Sequence, residues 1–252
     1  LVVSVEISGV LEEKLRRLVE LGIYASVSEA VRDAVRNMLA SLDLKRIAAN
    51  LYITRGSSLH YACHFAETPC TAFIDYLLIN GYTPGIGYLE VPPEISENET
   101  YILDPSSTYV IYSSTLSRII DQLVNLEVRI PNILRNYYSL LRARAMRINS
   151  KLTRTLPIIE IPERKPPQSL LVTIQEYSIL KYSEKANVTI ISDDLYIQRI
   201  MKDSGIRFIP SISFVIYAYK KGIIGEVEYR EVLMSLDSIP YSYHSSVYEL
   251  AR

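Results

Sequence analysis

The chain has 252 residues, 48% of them hydrophobic, and a formal net charge of −1 at pH 7. That length predicts two domains, or one with a small appendage, and a core large enough to need no covalent staples. Apolar runs fall short of the roughly 18 residues of a membrane helix, no basic-then-apolar leader opens the sequence, and two cysteines make no disulfide framework. The expectation is a cytoplasmic protein without a membrane partner. The near-neutral total hides an uneven distribution: residues 51–100 carry one basic and six acidic side chains, residues 101–200 thirteen basic and nine acidic. Such asymmetry points to a basic surface for an anionic partner and an acidic segment able to shield or mimic one.

Val3, Val5 and Ile7 alternate with Ser4, Glu6 and Ser8, the period of a half-buried strand. The pattern then turns helical, with Leu11, Leu15, Leu18 and Val19 on one face and Gly22 as a left-handed stop. Ser26-Val27-Ser28-Glu29 has the capping-box spacing, and a second helix follows with Ala30, Val31, Ala34, Val35, Met38 and Leu39 apolar. One strand and two short helices cannot bury these faces alone, and a lone strand leaves its ladder groups unpaired. Pairing two copies across a two-fold axis satisfies both needs, so a homodimer through residues 1–42 is expected.

Residues 2–42, above all Gly-x-Tyr-x-Ser-x-Ser-Glu-Ala-x-Arg, resemble the ribbon–helix–helix repressors and antitoxins of the CopG and MetJ/Arc type. The resemblance implies paired strands in the DNA major groove and a phosphate anchored at the second helix's N-terminus. Those roles would fall on Val2, Ser4 and Glu6, and on Ser26 and Ser28 with their amides. The family usually offers Arg, Lys, Thr or Asn on the groove-facing strand, and Glu6 would repel phosphate there. Sequence-specific DNA binding and a module kept only as a dimerisation clamp both remain open.

Residues 51–100 predict a short helical pair and a loop. Ser57 or Ser58 would cap Leu59–Glu67, Thr68-Pro69 would start the second helix and Gly81 would stop it. His60, Cys63, His64 and Cys70 fall within eleven residues. Four such ligands would suit tetrahedral zinc, but the spacing matches no zinc motif; a Cys63–Cys70 disulfide and plain packing are the alternatives.

From Thr108 the sequence predicts a strand at Tyr109–Tyr112, a helix at Leu116–Leu123, a strand at Glu127–Ile130 and a helix from Pro131. A strand at Val188–Ile191 and a helix at Leu195–Lys202 follow. Strands alternating with helices imply a parallel α/β sheet, whose sites gather at the strands' carboxyl ends. Asp193-Asp194 sits at one such end as a candidate weak magnesium ligand pair, or as a doubled acidic helix cap.

Residues 107–252 resemble the PIN nuclease fold, in the archaeal branch related to VapC toxins. The carriers are Val110–Ser114, Ile130-Pro131, Gln175-Glu176, Ile191–Asp194, Ser204–Pro210 and Ala218–Ile224. The resemblance implies several carboxylates around magnesium, activating water against an RNA phosphodiester. In that alignment the first-strand aspartate becomes Tyr112 with Ser114 two places on, and the glutamate after Pro131 becomes Tyr137. Thr173 replaces an aspartate, while Glu176 and Asp193, with Asp194 beside it, keep their acids. The expectation is a vestigial site, Glu176, Asp193 and Asp194, without nuclease activity. Asp104 or Asp121 could supply a missing charge in a shifted register, though neither is expected at a strand's carboxyl end.

Between Val128 and Ile159 lie seven basic residues and no acidic one. Arg142, Arg144, Arg147, Lys151 and Arg154 form a candidate second nucleic-acid surface if the helix runs that far; a solvated helix face is the alternative. The expected organisation is an α/β protein with a ribbon–helix–helix module at 1–45, an acidic connector at 46–106 and a PIN-like domain at 107–252. Three functions follow: a dimeric DNA-binding transcriptional regulator descended from a fused antitoxin–toxin pair, with RNA a further candidate ligand; a magnesium-dependent ribonuclease held off in cis; or a dimeric scaffold without nucleic acid.

Overall fold

The computed structural model describes residues 6–148 and 152–249, which divide into two compact units, residues 1–46 and 47–252. It is an α/β protein. Among the described residues, no helix is long and apolar enough to cross a membrane.

In the first unit, α1 (Val10–Glu20) and α2 (Val27–Ser41) pack against each other. Gly22, at φ +70°, ends α1 as the sequence predicts: its amide bonds to Val19 O at 2.9 Å and the Ile23 amide returns to Leu18 O at 3.0 Å. Ser26 caps α2, its Oγ accepting the Glu29 amide at 3.2 Å. Glu29 Oε2 reaches back one residue further than a capping box requires, to the Ala25 amide at 2.8 Å. The strand expected at Val3–Ile7 falls largely outside the described residues, and so do Val2 and Ser4. Glu6 and Ser28 are exposed.

The second unit begins with α3 (Leu44–Asn50, which straddles the boundary), a π-helical turn (Leu51–Gly56), α4 (Leu59–Phe65), α5 (Cys70–Ile79) and β1 (Gly87–Tyr88). The sheet region holds β2 (Thr100–Leu103), α6 (Pro105–Ser113), α7 (Leu116–Gln122), β3 (Glu127–Pro131), α8 (Arg135–Ile148) and β4 (Ile158–Ile159). It continues through α9 (Ile174–Ser183), β5 (Thr189–Ile191), α10 (Leu195–Asp203), β6 (Phe208–Ile209) and α11 (Ile212–Lys220). The described chain closes with α12 (Glu226–Asp237), β7 (Ser242–Tyr243) and α13 (Ser246–Glu249). Five strands form one all-parallel sheet in the order β4-β3-β2-β5-β6; β1 and β7 pair separately, also in parallel. The central strand registers Tyr101 against Val128 on one side and Thr189 on the other. The order reverses at β2, so the carboxyl ends of β2 and β5 flank the crevice where such sheets place their sites.

Residues 47–106 fold with 107–252 in a single unit, and residues 100–103 supply the central strand. The segment expected as the first strand, Tyr109–Tyr112, is instead the middle of α6. Asp104 as N-cap and Pro105 at the first helical position start that helix. Residues Pro105–Tyr112 are all buried. A helix enclosed on every side has no polar face, so its sequence reads like a fully buried strand.

Candidate acidic site and its cover

Asp104, expected away from any strand end, directly follows β2 and so stands at the carboxyl end of the central strand. Tyr112 lies on α6, far from a strand end, and its ring packs edge-on against Tyr138. Asp104 Oδ1 accepts the Ser107 amide and the Ser106 hydroxyl, each at 2.7 Å, while Ser107 Oγ accepts the Asp104 amide in return. Ser106, two residues after the acid, accepts the amides of Asp193 and Asp194 at 2.8 and 3.1 Å, which locks the ends of β2 and β5 together.

The other three acids are held with equal definition. Glu176 forms a capping box with Thr173 on α9: its Oε2 accepts the Thr173 amide at 2.7 Å and hydroxyl at 2.9 Å. Asp194 caps α10 through Oδ1, to the amides of Tyr196 and Ile197. Asp193 turns away, its Oδ1 accepting the Ser211 amide at 2.8 Å and the Tyr241 hydroxyl at 2.6 Å. All four carboxylates are buried. Burial is the first cause of every shift: it lifts Asp193 to about 7 and Asp194 to about 8, and raises Asp104 and Glu176 as well.

A short stretch of chain covers this cluster. Ser58, the N-cap of α4, donates its hydroxyl to Glu176 Oε2 at 2.7 Å, and the Leu59 amide bonds to Asp194 Oδ2 at 2.6 Å. The Ser58 amide is fixed in turn by Leu171 O. The cover thus presents backbone and hydroxyl donors to carboxylates, as an anion site at a helix start does, but the anions belong to the same chain. His60 follows with its ring edge against Tyr137, centroids 4.8 Å apart. Burial works against a charged imidazole there; its bond to Cys70 and the charges of Glu176 and Asp104 outweigh burial and raise its pKa to about 9. Tyr137, placed by the resemblance where a glutamate belongs, lies beside this cover.

As the side chains stand, they do not fit a divalent ion. Among the described residues, no three of His, Cys, Asp and Glu converge to hold one. The amides and hydroxyls named above take up one or both oxygens of every carboxylate, and of the four acids' oxygens Asp104 Oδ2 and Glu176 Oε1 are buried without a partner. Asp193 and Asp194 point to different elements, so they are not a shared ligand pair. His60, Cys63 and Cys70 do meet, without forming a metal centre, whereas His64 is exposed at the far end of α4. The sequence pattern named Asp104 only for a shifted register, and it gave no place to Ser106, Ser211 and Tyr241 or to the bonds that the Ser58 hydroxyl and Leu59 amide make to the acids. Thr-Tyr-Ile-Leu followed by Asp-Pro, a β-prone run and then a helix start, carried the signal for the first two.

No family model matches the chain, and no curated protein or solved structure matches it.

The basic stripe is divided by the fold. The described part of α8 ends at Ile148, and Lys151 lies outside the described residues. Arg154 turns inward, its guanidinium bonded to the carbonyls of Ile120, Leu123 and Leu126 at the end of α7. Arg142 reaches the carbonyls of Thr153 and Arg154. These two arginines brace a loop, and of the five candidate residues Arg144 and Arg147 are the described ones that stay exposed on the helix. Arg144 and Arg118 line a cavity of about 360 Å³ with Tyr109 and Tyr112.

Proposed function

We propose that the chain is a homodimeric DNA-binding regulator of ribbon–helix–helix type whose PIN-like second unit is a closed, catalytically silent acidic fold. The observation that carries this reading is the exposure of the first unit's apolar side chains. Among its described residues only Leu15 and Ala30 are buried, while Val10 is 69%, Leu11 59%, Met38 55% and Leu39 49% exposed. Each such side chain gains about 1.5–3 kcal/mol on full burial, so a second copy of the same helices is the economical cover. Ser26 and Ser28 at the start of α2 are exposed, so a phosphate reaching that terminus would compete with Ser26 Oγ and Glu29 Oε2 for the amides they accept. The five-stranded order with the acids at the β2 and β5 ends supports the PIN-like reading of the second unit. The test is light scattering of the intact protein followed by duplex DNA binding across a salt series. A monomer, or binding with no salt dependence, would overturn it.

A second reading, a hydrolase held closed in cis, is favoured by one observation. Asp104 and Glu176 each keep one buried oxygen without a partner beneath the α4 N-terminus. On that reading the Ser58–Leu59 segment withdraws to expose the acids, and RNA cleavage by variants that weaken the cover tests it.

A further inference from the structure

Away from the carboxylates, α4 and α5 bring two thiols and an imidazole together. Cys70 is the first residue of α5, with its Sγ 3.6 Å from His60 Nδ1. Cys63 lies one turn after His60 on α4. The turn between the helices passes through Glu67 at φ +50° and brings the Thr68 amide to Cys63 O at 3.2 Å, which folds the start of α5 back onto α4. Both cysteines are free thiols; Cys63 is buried and Cys70 is partly exposed.

We propose that Cys63 and Cys70 form a redox-active dithiol site whose substrate is a low-molecular-weight disulfide, with Cys70 the attacking sulfur, Cys63 the resolving sulfur and His60 the residue that positions Cys70. The order follows from exposure, because an incoming disulfide meets Cys70 before the buried Cys63. It follows also from position: Cys70 Sγ lies 3.6 Å from His60 Nδ1, at a helix start where backbone amides favour negative charge and support a thiolate. The Cys63 hydrogen bond, first, and then His60 hold the Cys70 thiol below its usual range, while burial pushes Cys63 up. Tyr52, Tyr109 and Tyr137 also face this group, and burial keeps all three phenols neutral through the range in which Cys70 ionises.

The chemistry balances. The Cys70 thiolate attacks one sulfur of RS–SR, its S–S bond breaks, and RS⁻ leaves as the Cys70 mixed disulfide forms. Cys63 then attacks Cys70 Sγ and expels the second RS⁻. The two protons first held by Cys63 and His60 leave on two RSH. The two cysteines are oxidised, and the small disulfide is reduced. The product ties α5 to α4, the helix whose start bonds Glu176 and Asp194.

The intact protein would be equilibrated in glutathione buffers of rising oxidised fraction, acid-quenched, alkylated and weighed. The expected result is joint loss of both thiols as one intramolecular disulfide, with Cys63→Ser stopping at a single glutathione adduct on Cys70 and Cys70→Ser taking none. Two separate adducts on the native protein would overturn the proposal, as would thiols that react only after denaturation; the wild-type measurement decides even if a variant fails to fold. For His60, the pH profile of Cys70 alkylation is the readout. Wild type should show a midpoint below the roughly 8.5 of a free thiol, and His60→Gln should move it upward and slow alkylation at neutral pH about tenfold. An ordinary thiol profile in both proteins would overturn the positioning role.

Discussion

The Leu59 amide lies 2.6 Å from Asp194 Oδ2 across 135 residues of sequence, so a segment expected as a connector is bonded to the acid at the end of a central strand. Ser58 completes the joint: it donates to Glu176 and accepts the Tyr61 amide at 3.0 Å, so one hydroxyl both caps α4 and satisfies a buried carboxylate. Ser58→Ala should therefore cost about 1–3 kcal/mol, the loss of a cap together with a bond to a charged group, and Ser58→Thr much less. Urea unfolding measures it. Equal midpoints for wild type and Ser58→Ala would show that the cover does not depend on this hydroxyl.

Stability should fall as pH rises from 5 to 9. Asp193 and Asp194 are raised to about 7 and about 8, above the roughly 3.9 of an unfolded aspartate, so the folded state binds more protons across that interval. Their contribution is complete below the unfolded value and is lost as pH passes 7 and then 8. His60, raised to about 9 from its usual 6.5, acts in the same direction at the alkaline end. Asp194→Asn, which copies the neutral carboxyl, should flatten the slope of melting temperature against pH. A slope that is absent in wild type, or unchanged in the variant, would remove these groups as its source.

What the sequence made legible was whatever follows a local rule. Gly22, Ser26 and Ser58 announced their helix boundaries, and β3, β5, α7 and α10 lie close to where period and β-branching placed them. Thr68 does not cap α5, whose N-cap is Pro69. The larger error was α6. Tyr109-Val110-Ile111-Tyr112 is apolar at every position because the helix is enclosed, and no periodicity separates that from a buried strand. The mistake put a strand's carboxyl end at Tyr112 and left Asp104 away from any expected strand end. Arg154 was misread for a different reason: charge along a sequence does not say whether a guanidinium faces solvent or caps a helix end from inside.

The intact chain should be a dimer through its first unit. Leu39 on α2 is half exposed in a single chain, and Leu39→Glu would place a charge in the shared core at a cost of several kcal/mol. Light scattering should show dissociation with the far-ultraviolet spectrum of the second unit preserved. A variant that remains dimeric at low micromolar concentration would move the interface elsewhere.

If strand residues face DNA, Glu6→Lys should tighten binding and steepen its salt dependence by about one unit of slope for the added phosphate contact. Glu6 is exposed, so the exchange disturbs no packing. Fluorescence anisotropy on duplex DNA at several salt concentrations gives both quantities. Affinity and slope unchanged together would mean that residue 6 does not meet the duplex.

Ribonuclease activity should be absent from the intact protein with magnesium or manganese, for a reason unlike a missing acid. Asp104, Glu176, Asp193 and Asp194 are all present, but Asp104, Glu176 and Asp194 cap helices, Asp193 is tied to Ser211 and Tyr241, and the start of α4 bonds two of the four. A nucleic acid must displace Ser58 and Leu59 before it meets the cluster. Ser58→Ala with Leu59→Pro removes both donors while keeping α4, because proline is tolerated at a first helical position. RNA cleavage would be compared among wild type, that double variant and each combined with Asp104→Asn. Silence in all four is the expected outcome. Cleavage by wild type that disappears with Asp104→Asn would sink the closed, silent assignment. Cleavage gained only in the double variant and lost again with Asp104→Asn would identify a hydrolase gated by its own N-terminal cover, and activity equal in every protein would mark a contaminant.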